Sequence, residues 1–472
     1  MSSCSSIKSP QSTIDLEYVK SKATQYYEDY SHIDYASKED SIYITGGLTT
    51  IQDKLIQEAL NSLGTKFITL ESPTFESFQL GKVYGNKAQC NPTYFTVGNL
   101  IKYLIHLRDV EGVSSEEIVR RYVYVTAGGC GPCRFGMYIT EYKKALKDAG
   151  FAGLRITSFE HDRGIFQGDD IEDNIIDFTP KFFITLAKAA IIGDLINLIA
   201  HQKRPYEVNK GDTNKAVDRS IDIISQAFLS HSSLLVALYK VRKELDSIKV
   251  DKSIKKPKVL ISGEFWAAMT QGDGNYNLHQ FLEEQGAESI PQPVINRLLL
   301  SIWEVEFAFN QKADLEDSYK DGFNLQQVKT KLMLKLAKIA VKLHIKIYSK
   351  FLNLDYDIPD IEYLASLAKE YYPLECSGGE GHLEVAHLLE SIKHNLADMV
   401  ISIKPFGCMP SSAVSDGIQS LVLSHYPEAN FLSIETSGEG AANFYSRIQM
   451  ALFKAKEKVK LENSNTYAIS LE

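Results

Sequence analysis

Cysteine is scarce in this chain, with six among 472 residues. So few thiols in so long a sequence argue against a disulfide framework and leave metal binding, catalysis or inert burial as their uses. Positive charge is also short: 51 Lys and Arg against 60 Asp and Glu give a net charge of -9, so no general basic field invites nucleic acid. The one local basic run, residues 252–258, reads as a solvated linker ahead of a strand. There is no Gly-Lys-Ser/Thr phosphate loop, so the chain is not expected to hydrolyse ATP itself. Repeats of solenoid period are absent. Residues 1–25 are polar, with no apolar stretch of the kind that directs export. The longest apolar segment, 182–200, is interrupted by Lys188 and Asp194, which predicts a buried helix rather than a membrane span. A cytoplasmic protein with no membrane and no nucleic-acid partner is expected.

What is present is an alternation of short β-rich runs and helical stretches. Residues 1–40 are Ser-rich and charged and read as a polar extension containing Cys4, with a short helix over 18–27. A first α/β lobe, 41–176, opens with the strand 41–45 and a Gly turn, then a helix over 51–63 and a strand at 66–70, which is a β-α-β unit and implies a parallel sheet. Residues 81–94 read as a loop carrying Cys90, followed by an amphipathic helix over 95–107. Further strands are expected at 122–126 and 154–158. A helical region, 177–255, has helices at 181–201, 214–230 and 233–248. The second α/β lobe, 256–472, has strands at 258–262, 399–403 and 431–435, long helices between 294 and 351, and helices at 277–285, 383–394 and 413–423. The fold class expected is therefore α/β, two Rossmann-like doubly wound lobes with a helical connecting region.

The chemistry gathers at the handovers from strand to helix. Cys130-Gly131-Pro132-Cys133 lies between a strand and a helix that Gly150 terminates, where backbone N–H groups and the helix dipole stabilise thiolate. Cys90, Cys130, Cys133, Cys376 and Cys408 all fall in loops rich in Gly or Pro, whereas structural cysteines scatter over apolar faces. Soft thiolates drawn from two lobes are what an iron-sulfur cluster needs. Two other readings stay open: unrelated inert or regulatory thiols, and a Cys-Gly-Pro-Cys dithiol like the active site of thioredoxin, though here without the usual Trp before the first cysteine.

The segments around Cys90 and Cys130, the Gly263-Glu264 turn with the loop and helix that follow, and Lys404-Pro405-Phe406-Gly407-Cys408-Met409-Pro410 resemble the 2-hydroxyacyl-CoA dehydratase superfamily, which also holds benzoyl-CoA reductase subunits and double-cubane cluster proteins. The likeness is nearest to the cluster-bearing module of large CoA-enzyme activase fusion proteins and spans about residues 41–456. It implies an oxygen-sensitive cluster between two lobes, low-potential electrons from a separate ATP-dependent iron-sulfur activase, reductive or radical dehydration of a small-molecule substrate, and a homodimer or a heterodimer with a related subunit. Cys90 and Cys130 match the two family cysteines of the first lobe and Cys408 that of the Pro-Phe-Gly-Cys turn; Cys133 fits the Cys-Gly-Pro-Cys variant, and Cys376 matches more weakly. A single 4Fe-4S cluster is favoured because a double cubane (8Fe-9S) would need about three thiolates per half. A non-catalytic scaffold that holds a cluster is the alternative to an enzyme.

Other candidates have bland readings beside the functional ones. Glu264 is a candidate acid or base, or a residue supporting the cluster, set against a solvated turn carboxylate. Arg134 would either stabilise thiolate charge or cap a helix. The turns 378–381 and 438–440 could cradle a phosphate, but such turns are more often only turns. His161, His279, His382 and His387 read as surface or satisfied residues, with His382 the one beside Cys376.

Overall fold

Among the described residues, eight strands form two parallel four-stranded sheets, and helices cover both faces of each. The computed structural model describes residues 27–128, 133–160, 176–317, 325–376 and 379–469; Cys4, Cys130, His161 and Gly378 lie outside them.

The first sheet has the order β2-β1-β3-β4, with β1 Ile42–Thr45, β2 Lys66–Thr69, β3 Tyr122–Gly128 and β4 Arg155–Glu160. Its strands are apolar on both sides, and the pleat sorts their side chains by parity. Tyr43, Val123 and Val125 enter one core, while Ile44, Tyr122 and Tyr124 enter the other. The first core packs under α1 (Thr50–Asn61), which begins with a full capping box formed by Thr49 and Gln52. The second packs under α2 (Phe75–Tyr84), α3 (Asn91–Asp109), α4 (Ser115–Arg121) and α5 (Tyr138–Asp148). The described part of the polar extension, 27–40, packs on this lobe: Tyr30 N–H donates to Ala152 O at 3.2 Å and Ala36 N–H to Arg120 O at 2.9 Å.

The stretch 81–94 differs from its expectation as a loop. Residues 81–84 are the last turn of α2, and α3 starts at Asn91 with Cys90 as its N-cap. Gly81 and Gly98 are what join the two helices. A Cβ on Gly98 would lie 1.6 Å from Ser77 O, and one on Gly81 would lie 1.8 Å from Tyr94 O, so the helices cross backbone to backbone. Glycines spaced for a crossing read as loop signals when only local propensity is weighed.

The helical region consists of α6 (Pro180–Lys203), α7 (Asp212–Leu229) and α8 (Leu234–Asp246). Among the described residues α6 begins the one helical stretch long and apolar enough to cross a membrane, but most of that stretch is packed inside the protein. Ile192, Leu195, Ile196 and Ala200 face the core beneath α1.

The second sheet repeats the first, with the order β6-β5-β7-β8: β5 Lys258–Gly263, β6 Glu288–Ile290, β7 Met399–Pro405 and β8 Phe431–Thr436. Val259, Ile261, Met399, Ile401 and Ile403 face α9 (Phe265–Met269) and α10 (Leu278–Glu284), while Leu260 and Val400 face the other way. That other face is covered by α11 (Val294–Asp317), α12 (Leu325–Phe351), α13 (Ile361–Ala368), α14 (Gly381–His394), α15 (Met409–Ala413) and α16 (Gln419–His425). The final helix, α17 (Ala441–Ile469), returns to the first face through Phe444, Ile448 and Leu452. The strand β6 and helices α2, α4, α9, α13, α15 and α17 go beyond the elements expected from sequence.

In both sheets the chain winds outward in two directions from a central pair, β1 and β3 in one and β5 and β7 in the other. Loops diverge at the carboxyl ends of such a pair and leave a crevice there. The two crevices face each other. Phe75 N–H donates to Asp273 Oδ2 at 2.8 Å and Asn91 N–H to Phe406 O at 2.9 Å. Phe95 stacks at a tilt on Trp266 with ring centroids 5.5 Å apart.

Candidate functional site

Cys133 follows β3, Cys408 follows β7 and Glu264 follows β5, so three expected site residues come off the carboxyl ends of the two central strand pairs. Cys90 arrives from the side, at the N-terminus of α3. Its buried thiol lies 3.0 Å from the Tyr138 hydroxyl and 3.2 Å from that of Thr93. Gly407 fixes the approach of the Cys408 turn, since its φ is +76° and a Cβ there would stand 3.2 Å from Cys90 Cα. Arg134 fixes the approach of the Cys133 turn by donating from Nη1 to Ala88 O at 2.6 Å. Its role is therefore to tie the Cys133 turn to the Cys90 loop rather than to cap a helix.

Electrostatics place these groups in one neighbourhood. Burial pushes the Cys133 thiol up to about 11 against the donation from Phe135 N–H, and the charges of Glu264, Glu380 and Cys90 push in the same direction. The Cys408 thiol is also raised, first by burial and then by Glu264, with hydrogen bonds from Ser411 opposing. Cys376 is exposed, whereas Cys90 and Cys408 are buried. Cys130 lies outside the described residues. Among the described residues no group of three or more His, Cys, Asp or Glu side chains is closed around a single metal ion.

Near the thiols are carboxyls that sequence reading found only in part, Glu380 and Glu384 buried and Glu264 half-buried. Glu264 caps α9, accepting from Ala267 N–H at 2.9 Å, and burial together with Glu380 pushes its carboxyl up to about 8. Glu384 accepts from Ser411 Oγ at 2.6 Å and is likewise pushed up to about 8 by burial. Glu380 is raised by burial, and Arg297 opposes this through a 3.1 Å ion pair. The same guanidinium holds Glu304 at 3.1 Å. A desolvated carboxyl keeps its proton near neutral pH, so Glu264 and Glu384 are held toward their neutral forms beside the thiols. The i, i+4 spacing of Glu380 and Glu384 across the start of α14 was the signal that could have found them.

The remaining candidates take bland roles. His279 is neutral, held at about 3 by burial, with Nδ1 at 2.6 Å from Ser289 Oγ and Nε2 at 3.3 Å from Ala268 O. His382 meets Pro373 O at 3.2 Å and lies edge-on to Trp303 and Tyr372, while His387 is buried and depressed to about 4. The glycine turns are filled by protein rather than open to phosphate. Gly381 abuts the Tyr372 ring, Gly438 abuts the Phe78 ring, and Glu439 pairs with Lys82 at 2.6 Å.

A searched set of protein-family models contains none that matches the chain, and no curated protein matches it.

Proposed function

We propose that this chain is an iron-sulfur protein of the 2-hydroxyacyl-CoA dehydratase type. Its cluster would lie between the lobes on Cys90, Cys408 and the loop of Cys130 and Cys133, and its low-potential electrons would come from an ATP-dependent activase. The observation that carries this reading is the approach of Cys90, Cys133 and Cys408 to one another from two lobes and three separate turns.

The donor set suits such a group. Thiols are the ligands iron-sulfur clusters take, and a cationic metal centre would offset the cost that burial and neighbouring carboxylates impose on each thiolate. When bound, the cluster supplies one-electron transfer at low potential. The chain's own residues do the rest. Tyr138 and Thr93 offer hydroxyls to the Cys90 sulfur, Arg297 neutralises Glu380, and Glu264 and Glu384 each hold a proton on a carboxyl oxygen, ready for a reduced or dehydrating substrate. The rings of Phe78, Phe95 and Trp266 pack together between the lobes and exclude water there. Pairing with a second copy or with a related subunit belongs to the same proposal.

Iron and acid-labile sulfide per chain, measured on protein purified without oxygen, test it. About four irons, lost in both Cys90→Ala and Cys408→Ala, support a single cubane, and about eight a double cubane. No iron under those conditions, with a titratable dithiol at Cys130 and Cys133, overturns the reading in favour of thiol redox chemistry.

A further inference from the structure

The arm built by α11 and α12 carries an apolar stripe that the described residues leave open. Val328, Leu332, Leu336, Ile339 and Leu343 are 45, 56, 56, 60 and 52% exposed. Successive spacings of four, four, three and four residues put all five within an arc of about 80° on a helix, over a length of about 22 Å. From Leu332 to Leu343 they follow the alternation of a coiled-coil seam. The opposite side of α12 is already committed, because Ile345, Tyr348 and Leu352 are buried in the core of the first lobe and helical region. The stripe is therefore outward-facing and not part of the fold's own packing.

Charge says what would cover it. The helix α12 contains seven lysines and no Asp or Glu. Lys331, Lys335, Lys338 and Lys342 line one edge of the stripe, while Met333 and Ala340 line the other, with Lys329 at its N-terminal end. Lys338 is spoken for by Glu306, at 3.8 Å, and by Glu362. Pairing with an antiparallel copy of α12 would set Lys335 and Lys342 against their own copies, and a parallel copy would leave them facing Met333 and Ala340.

We infer that α12 is a docking rail for a single acidic amphipathic helix of a partner protein, with Leu332, Leu336, Ile339 and Leu343 as the seam and Lys331, Lys335 and Lys342 as the selectors of its carboxylates. The inference does not depend on the cluster.

The test uses the full chain and two labelled synthetic helices of about 21 residues with leucine at a and d, one with glutamate and the other with lysine at e and g. Fluorescence anisotropy is expected to show the glutamate peptide binding at least about tenfold more tightly than its lysine twin. Leu336→Glu with Ile339→Glu should weaken it by at least about tenfold, and Lys335→Glu with Lys342→Glu should move the preference toward the lysine peptide. These side chains are exposed, so circular dichroism should match the parent. No binding, or equal binding of the two peptides, overturns the inference. So does a dimer in sedimentation that Leu336→Glu dissociates, which would make the occupant a second copy, or Leu336-dependent flotation with phosphatidylglycerol vesicles, which would make it a membrane.

Discussion

The backbone N–H of Asn91 donates to the carbonyl oxygen of Phe406 at 2.9 Å, across a sequence separation of more than three hundred residues. That bond joins the first residue of α3 to the turn that carries Cys408, and it sets one cysteine-bearing turn against the other. Each lobe supplies half of the neighbourhood, so the candidate site exists only when the lobes are docked.

Gly407 should be intolerant of substitution for this reason. Its φ of +76° disfavours any side chain, and a Cβ would crowd Cys90 Cα at 3.2 Å. Gly407→Val is expected to cost about 1–2 kcal/mol from backbone strain and to lower iron content more than stability, because it parts the turns while leaving both cores intact. Iron analysis beside urea denaturation separates the two effects; full iron retention would contradict the expectation.

Cys376→Ala should leave iron content unchanged, unlike Cys90→Ala and Cys408→Ala. Cys376 is exposed, whereas Cys90 and Cys408 are buried between the lobes. Parallel iron and sulfide determinations on the three variants check this, and loss of iron in Cys376→Ala would add that residue to the ligands.

Arg297→Gln should destabilise the protein by about 3–5 kcal/mol at neutral pH, because it strands Glu380 and Glu304, both buried, without their cation. The loss should shrink at pH 5, where the stranded carboxyls take up protons. Urea midpoints at the two pH values measure it, and an equal loss at both would argue against the charge account.

Asp194 gives a pH dependence whose sign can be worked out. Its carboxylate oxygens accept from Val294 and Ile295 N–H at 3.0 and 2.9 Å, yet burial outweighs these bonds and pushes the group up to about 7. The folded chain keeps this proton to about pH 7, while the unfolded chain gives it up near the ordinary value of 3.8. Its contribution is therefore complete below about pH 4 and declines as pH rises toward 7. Asp194→Asn keeps an acceptor without the charge, so its stability relative to the parent should rise by about 2 kcal/mol between pH 5 and 7 in urea unfolding. A pH-independent difference would show that Asp194 does not titrate in that window.

Gly98→Ala should cost about 3 kcal/mol or more, since the added Cβ would meet Ser77 O at 1.6 Å and push α2 off α3. Thermal and urea unfolding check it. A loss below about 0.5 kcal/mol would mean that the crossing relaxes freely.

The sequence by itself determined the α/β class and the handover positions. Those features repeat over a few residues: apolar runs at Val123 to Val125 and Ile401 to Ile403, glycines at strand ends, and cysteines just after them. Local pattern could not place α2, because Gly81 looks like a breaker until the crossing helix is present. Nor could it join Glu264 to Glu380 and Glu384, or tell that Cys376 is exposed while Cys90 and Cys408 are buried. Those relations rest on burial and on contacts between residues far apart in the chain. Tertiary structure decided them by docking two lobes through the loops at the carboxyl ends of their central strands, so that desolvation and backbone contact, which have no local sequence signal, determine which thiols and carboxyls share a neighbourhood.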